Sequence, residues 1–318
     1  MIAIVCQHEN RRTNGTTKAG AQRFRCRDCG KTWTEETGLL GGLRIGMDRA
    51  CQIVELLCEG MSVRAVERIT DTCKATILDL LVLVGEKCAE MEAERIRDVQ
   101  VDDVQADEIW QYVYCKAATA ERKRYVGGCG DSWCFTALER NTKLLLCWHM
   151  GRRTLNDAEH FTHKLSKATL GRFQLSTDGF QAYPLAVRWH VGGRVDHGRV
   201  IKSFGEAPKD DRRKYSPARI IGCKKDGVLG LPYRDKICTS HAERMNGSIR
   251  HFTKRMARLT CAFSKRWGNH KAALGLFFAH YNWVRKHRGI GGKTPAQATG
   301  LTDHAWSVRE LLNNALHT

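Results

Sequence analysis

Three acidic residues stand where their surroundings make an acid unexpected. Asp107 interrupts the apolar strand pattern VQADEIW, and Asp178 follows the strand-like run RFQLST at an Asp-Gly pair. Glu243 is the single acid among eleven lysines and arginines between residues 241 and 290. Carboxylates that a fold brings together can hold divalent metal ions, and phosphoryl transfer on DNA uses two such ions. The sequence therefore predicts a metal-dependent site formed by these three acids.

Each of these acids also has an ordinary structural interpretation. Asp107 could be an exposed polar position on an edge strand, and Asp178 could simply form a turn with Gly179. Glu243 opens a helix, where a negative charge is stabilising and can pair with a nearby cation. Glu108 is expected on the strand face opposite Asp107, because side chains alternate. Gly179 is expected to let the chain leave the strand sharply, so that Asp178 stays at the edge of the sheet.

The elements that must position these acids begin at Val99, where the hydrophobic period changes from helical to alternating. Runs 104–116, 132–140 and 142–150 are typical of strands, 154–168 of a helix, and RFQLS of a further strand. This order is the opening of an RNase H-like fold. Residues 202–238 are rich in Gly, Pro and charge, which favours an insertion or long loop before the helix that carries Glu243. We predict an α/β domain over 99–300 and a tail helix over 301–318.

Residues 1–40 hold four candidate zinc ligands in a polar segment. CRDCGKTW contains a CxxC turn followed by Gly, the shape of a zinc knuckle. Cys6, His8, Cys26 and Cys29 would complete a Cys₃His site, with Glu9 as the other candidate for the fourth ligand. Two unrelated turns with free thiols are the alternative, but so short a polar segment cannot bury enough core to fold alone. The sequence favours a structural zinc ribbon.

Residues 41–98 show the pattern of a helix-turn-helix. A first helix ends at Gly60, Ser62 caps a short second helix, and a long third helix follows the polar turn TDT. Lys74 and Thr76 lie in the first turn of this third helix, where a DNA-reading helix places polar side chains. The long helix also connects this region to the α/β domain.

The charge of the chain favours a polyanionic partner. Fifty-two lysines and arginines against 34 acids give a formal net charge of +18. The stretch 241–290 interleaves cations with aromatic residues, which favours nucleic acid over a solvated surface or a membrane surface. No apolar run reaches membrane-spanning length, and most of the fourteen cysteines sit singly, which indicates a reduced, cytoplasmic protein. The residues expected to contact DNA are Asn246, Arg250, Lys254, Arg255, Arg258, Lys74 and Thr76.

Several stretches resemble one family of transposases. DEIW, STDGFQAY and HAERMNGSIRHFTKRMARLTCAFSKRWGNH are similar to catalytic motifs of the DDE transposases of the insertion-sequence-one family. GAQRFRCRDCGKTW and the helix-turn-helix resemble that family's DNA-binding region, and HYNWVRKHRGIGGKTPAQA is similar to the ending of many bacterial transposases. The resemblance spans nearly the whole chain. It departs from the family at CQHE, which replaces CPxC, and in the long segment between Asp178 and Glu243.

The resemblance implies a multidomain transposase: zinc ribbon, all-α helix-turn-helix, and an RNase H-like core with Asp107, Asp178 and Glu243 as its metal-binding triad. It implies Mg²⁺ or Mn²⁺ in the active site, structural Zn²⁺, cleavage at transposon ends by water, and attack of the freed 3′-OH on target DNA. Asn246 and Arg250 match the family's ExxNxxxR helix. Double-stranded DNA (terminal inverted repeats and target) is the implied partner, bound by a homodimer or larger assembly at the bacterial nucleoid. An RNase H-like nuclease or resolvase, and a domesticated DNA-binding regulator, are the alternatives.

Overall fold

Between Val99 and Thr177 the strands and the helix that the sequence predicts occur in the predicted order, together with short elements that it does not predict. The computed structural model describes residues 9–16, 22–34, 39–125, 127–205 and 220–317. Its strands are β1 Arg11–Thr16, β2 Gln22–Cys26, β3 Thr32–Thr34, β4 Val99–Gln100, β5 Asp103–Val113, β6 Gly130–Glu139, β7 Leu145–Gly151, β8 Thr169–Leu170, β9 Phe173–Thr177, β10 Val195–Phe204 and β11 Ile220–Leu229. Its α-helices are α1 Met47–Cys58, α2 Val63–Thr70, α3 Lys74–Arg95, α4 Ala117–Arg122, α5 Leu155–Ala168, α6 Tyr183–His190, α7 Ser240–Phe252, α8 Trp267–Ala279, α9 Pro295–Thr299 and α10 Val308–Leu316.

Six strands form a mixed central sheet in the order β11-β10-β9-β5-β6-β7. Strands β5, β6 and β7 form an antiparallel meander, whereas β9 runs parallel to β5 and β10 runs parallel to β9. The carboxyl ends of β5, β9 and β10 therefore meet at one edge of the sheet. Such an edge is where open α/β sheets place their functional residues.

Helices cover both faces of this sheet, because its central strands carry apolar side chains in both directions. On one face Phe135 of β6 packs against Phe161 of α5 and Tyr183 of α6, with ring centroids 5.6 and 6.4 Å apart. On the other face the core contains Ile109 of β5 and Met245 of α7, together with residues of α8. The strand β5 thus separates two packed layers, and its side chains alternate between them.

The three helices predicted over 41–98 are present as α1, α2 and α3. Ser62 caps α2, since its side chain accepts a hydrogen bond from the backbone N–H of Ala65 at 3.2 Å. Gly60 ends the first helix with a φ of +80°, which a side chain at this position would resist. The long helix α3 packs along α8 and α10, and its Arg95 lies over the Trp306 ring at 5.2 Å. The helical region and the central sheet share one continuous hydrophobic core.

The expectation of a long loop over 202–238 is wrong for residues 202–204 and 220–229, which lie in strands, and the expectation of an insertion stays a prediction. Residues 202–204 end β10, and Ile220–Leu229 forms β11, which pairs antiparallel with β10 and extends the sheet. The prediction failed because an edge strand tolerates glycine and lysine, which here hide the alternating pattern. Residues 206–219 lie outside the described part of the chain.

The N-terminal region forms a separate three-stranded antiparallel sheet, β1-β2-β3. Cys26 ends β2 and is buried, while Cys29 lies in the exposed turn that follows. The backbone N–H of Gly30, at a φ of +71°, donates to the Cys26 carbonyl oxygen at 3.1 Å. This is a knuckle-shaped turn, as the sequence predicts, but Cys6 and His8 lie outside the described residues. Among the helices of the described residues, none is both long and apolar enough to cross a membrane.

Candidate active site

The pairing of β5 with β9 places Asp107 beside Asp178. Asp103 lies opposite Gln174 and Gln105 lies opposite Ser176, so the same register continued by two residues brings the two aspartates together. Strand β9 ends at Thr177, whereas β5 continues to Val113 with β6 as its neighbour. A gap therefore opens in the sheet next to Asp107. The turn after β9 positions Asp178 in this gap.

Three carboxylates converge at this gap: Asp107, Glu108 and Asp178. One oxygen from each lies within 4.8 Å of the others, and within the described residues this is the one acidic or metal-ligating group of that kind. Glu108 does lie on the face opposite Asp107, because it pairs with Phe135 while Asp107 pairs with Thr136. Its carboxylate still joins the cluster, because β9 has ended at this point and no strand lies between the two faces of the sheet. Sequence reasoning had set Glu108 aside, although it directly follows the candidate aspartate.

Burial and mutual crowding raise the pKa values of Asp107 and Glu108. Burial raises the pKa of Asp107 to about 7, and the charges of Asp178 and Glu243 act in the same direction. Burial also raises the pKa of Glu108 to about 8, helped by the charge of Asp178. A hydrogen bond with the Tyr183 hydroxyl lowers the pKa of Glu108 but does not offset the effect of burial. Buried carboxylates that repel one another are a donor set that fits a divalent cation.

Two basic side chains partly balance this charge. The Arg153 guanidinium lies 3.0 Å from Oε2 of Glu108 and 3.2 Å from Oδ2 of Asp178, and so joins two of the three acids. Arg153 also stacks over Phe180, with 4.5 Å from its Cζ to the ring centroid. Lys202 of β10 contacts the Glu243 carboxylate. The sequence does not predict Arg153 or Lys202 as site residues, because only the tertiary structure brings their segments next to the acids.

Glu243 lies next to the cluster and belongs to the first turn of α7, as predicted. The helix start is held by Gln105 of β5, whose side-chain oxygen accepts from the backbone N–H of His241 at 2.8 Å. The Glu243 carboxylate accepts hydrogen bonds from Lys202 and, at 2.7 Å, from Thr239. Burial would raise the pKa of Glu243, but these two hydrogen bonds more than offset it and lower the pKa. Glu243 acts on Asp107 through its charge and is not one of the three converging carboxylates.

Asn246 contacts the cluster directly. Its side-chain amide donates to Oδ2 of Asp107 at 2.8 Å, while the backbone N–H of Glu108 donates to Oδ1 at 2.9 Å. Both oxygens of the aspartate are therefore held in place. Arg250 lies one turn further along α7, where burial and the neighbouring charge of Arg258 lower its pKa.

The turn at Asp178 is made differently from the expectation. The Oδ1 atom of Asp178 accepts a hydrogen bond from the backbone N–H of Phe180 at 2.9 Å, so the aspartate itself closes the turn. Gly179 does not have a left-handed φ, and a Cβ atom there would meet its nearest neighbour, Ile201, at 3.9 Å. The expectation that the turn requires Gly179 is therefore wrong.

The predicted DNA-contacting residues separate into two places. Lys74, Lys254, Arg255 and Arg258 line one groove of about 1450 Å³ between the start of α3 and the segment 254–266. Within it, the Arg255 guanidinium donates to Ser264 and to the backbone of Asn269, and its pKa is lowered to about 10 by burial. Asn246 lies at the acids instead. Thr76 is half-buried on the first turn of α3, where its hydroxyl is 3.3 Å from the Cys73 sulfur.

Other acids near β5 have structural roles. Asp103, the first residue of the strand, is buried and lies 3.0 Å from the Arg140 guanidinium. Asp102 is exposed just ahead of it. The site therefore comprises the three converging acids, Glu243 and Asn246. A comparison of the sequence with models of protein families found no match, and a comparison with curated proteins found none either.

Proposed function

We propose that the protein is a DNA transposase of the insertion-sequence-one type, which cleaves transposon ends and joins their 3′-OH groups to target DNA. The observation that carries the proposal is the meeting of Asp107 and Asp178 at the ends of two parallel strands, with Glu243 on the adjoining helix. An antiparallel meander followed by a helix and a strand parallel to the first supports an RNase H-like core. The resemblance of the sequence motifs points to the same three residues.

Asp107, Asp178 and Glu243 would hold Mg²⁺ or Mn²⁺, with Glu108 as an additional donor. Bound there, the metal would activate the attacking water or 3′-OH and stabilise charge on the phosphate. Asn246 orients Asp107, because it and a backbone N–H hold the two carboxylate oxygens. Arg153 holds Glu108 and Asp178 together against their mutual repulsion. The polypeptide thus supplies positioned donors in place of a covalent nucleophile.

Duplex DNA would be held outside this site by the groove between α3 and the segment 254–266. Its lining carries the cations Arg64, Lys74, Lys254, Arg255, Arg258, Lys265 and Arg266, which outnumber its two acids, Asp79 and Glu86. The groove includes the first turn of the predicted recognition helix and the segment that follows α7. One DNA molecule could therefore contact both regions, and we propose this groove as the path of the transposon end. We also propose that Cys6, Cys26 and Cys29 bind a structural Zn²⁺, with His8 or Glu9 as the fourth ligand. The protein would act as a dimer or larger complex.

The test is a strand-transfer assay on the natural ends of the element. The DNA flanking the gene supplies candidate inverted repeats, which are labelled and incubated with protein, plasmid and Mg²⁺ or Mn²⁺. Joined product is expected from the wild-type protein, and Asp107→Asn, Asp178→Asn and Glu243→Gln should each reduce it by at least about 100-fold. Asp102→Asn is the matched control, because this acid is exposed beside the strand and should leave the yield unchanged.

The outcomes separate the alternatives. Cut but unjoined DNA with every end sequence would favour a nuclease or resolvase. A regulator that has lost catalysis would bind DNA site-specifically but neither cut nor join it. Its function in cells would also be unchanged by Asp178→Asn and Glu243→Gln.

A further inference from the structure

Strand β5 carries a row of aromatic side chains beyond the acids. Trp110 and Tyr112 follow Glu108 on the same face, and their ring centroids lie 5.9 Å apart. Tyr112 contacts Phe263 at 5.0 Å, and Tyr114 contacts Tyr125 at 5.5 Å. We call these five residues the aromatic strip. Tyr114 and Tyr125 are 48% and 42% exposed, and the other three are partly exposed.

The aromatic strip begins at the candidate active site. Trp110 lies directly opposite Trp133 in the pairing of β5 with β6. The Arg153 guanidinium lies over the Trp133 ring at 4.9 Å and contacts both Glu108 and Asp178. The first residue of the strip is therefore the strand neighbour of a tryptophan whose ring lies under the arginine that holds two of the carboxylates. A chain lying on the strip would reach the acids at one end.

Cations accompany the aromatic strip along its length. Lys116 lies over Trp110 at 5.8 Å, Lys265 over Phe263 at 3.1 Å, and Lys123 over Tyr125 at 6.0 Å. Lys265 also lines a shallow pocket of about 450 Å³ with Tyr114 and Tyr125, so it links the two parts of the strip. Between residues 114 and 125 the sequence has four basic residues and one acid, Glu121. The surface thus combines accessible ring faces with positive charge.

The backbone at the end of the strip is held in an uncommon conformation. Tyr114 has a φ of +65°, and its backbone N–H donates to the Ser264 carbonyl oxygen at 2.8 Å. A bulky aromatic residue rarely adopts this region, because its side chain then crowds the backbone. The surrounding segments therefore hold an exposed tyrosine in place at an energetic cost.

We propose that the aromatic strip binds an unpaired DNA strand and leads it toward the carboxylates. Bases stack on aromatic rings whatever their sequence, and cations along the path neutralise the phosphates. The inference rests on the proposed function for its meaning: the strip would hold the frayed strand at a transposon end. An apolar protein surface could pack against the rings but would leave the surrounding cations without partners. A duplex would satisfy the cations, but its paired bases do not offer their faces for stacking.

The experiment measures binding without catalysis, so that its failure is distinct from failure of the proposed function. Fluorescence anisotropy compares a labelled oligothymidine with a duplex of equal length, using the full chain at constant salt without added Mg²⁺ or Mn²⁺. Tyr114→Ala/Tyr125→Ala should weaken oligothymidine binding by about fivefold or more, which corresponds to ~1 kcal/mol, and change duplex binding less than about twofold. Tyr114→Phe/Tyr125→Phe should bind like the wild type, because it keeps the ring faces.

Trp189→Ala is the matched control, since Trp189 is a 57% exposed aromatic residue of α6 outside the strip. It should leave oligothymidine binding unchanged. The proposal would be overturned if the alanine pair lost affinity for oligothymidine and duplex equally, or if it lost no affinity for oligothymidine. A change of oligomeric state in the alanine pair with unchanged DNA binding would likewise overturn it and would assign the strip to a second copy of the chain. Photocrosslinking of an iodouracil-containing oligonucleotide should label peptides of the strip, and labelling confined to other peptides would also overturn it.

Discussion

Replacement of Gly85 by alanine should disturb the packing of α3 against α8 and destabilise the folded chain. Helices α3 and α8 approach so closely that a Cβ atom on Gly85 would lie 2.1 Å from the Ala272 carbonyl oxygen. Ordinary contact begins near 3.4 Å, so the two backbones would have to move apart by about 1.3 Å, the difference between these distances. The obstructing atoms belong to the main chain of α8 and cannot rotate away. Gly275 makes the reciprocal approach, since its Cβ would lie 2.5 Å from the Gly85 oxygen.

The energetic balance favours a clear loss of stability. Overpacking typically costs about 1–3 kcal/mol, and a clash with main-chain atoms places this case at about 3 kcal/mol. Alanine is a better helix former than glycine by ~1 kcal/mol, which offsets part of the cost. We expect Gly85→Ala to lower the free energy of unfolding by about 2 kcal/mol. Urea titration followed by circular dichroism measures this quantity for both proteins.

Gly247 provides the matched control, because it is an exposed glycine inside α7 and a Cβ atom added there would have no neighbouring atom within 4 Å. Gly247→Ala should raise the free energy of unfolding by ~0.5–1 kcal/mol through helix propensity alone. If both variants shifted in the same direction, or if Gly85→Ala were as stable as the wild type, the close packing of α3 on α8 would be refuted.

Two further predictions concern buried acids. Glu92 is buried in α3, where it accepts from Asn282 at 2.7 Å and burial raises its pKa to about 8. Between about pH 4.5 and 8 the folded chain keeps the proton on Glu92 while the unfolded chain loses it, so the free energy of unfolding falls as the pH rises. Glu92→Gln should therefore leave stability unchanged near pH 4.5 and raise the free energy of unfolding by up to about 4 kcal/mol at pH 8. Thermal unfolding of both proteins across this pH range measures the difference. Asp107, with a pKa of about 7, must lose its proton to bind a cation. Affinity for Mn²⁺ measured by calorimetry should weaken at least about tenfold per pH unit below 7, since Glu108 also has a raised pKa, and a constant affinity from about pH 6 to 8 would contradict this role.

Local patterns in the sequence sufficed to predict most of the helices and the first strands of the sheet. Ser62 caps α2 as expected, and the strands around Asp107 and Asp178 lie where alternation places them. Caps and periodicity involve residues a few positions apart, so they can be read directly from the chain. Strands β10 and β11 were missed, because charged and glycine-rich edge strands do not show a clear alternation.

The composition of the site depended on contacts between distant segments. Glu108 joins Asp107 and Asp178 only because β9 ends beside β5, and a shift of one residue in their register would turn these side chains to other faces. Arg153 and Lys202 come from elements whose place at the gap no local pattern indicates.

The sequence by itself determined which acids were unusual, which segments would be helices or strands, and that a basic surface would accompany them. Each of these properties follows from the order of side-chain types along the chain. The tertiary structure alone decided that Glu108 belongs to the cluster, that Glu243 lies beside it in contact with Lys202, and that Asp178 closes its own turn. The physical reason is that carboxylates act together only when long-range strand pairing and helix packing bring them within a few ångströms.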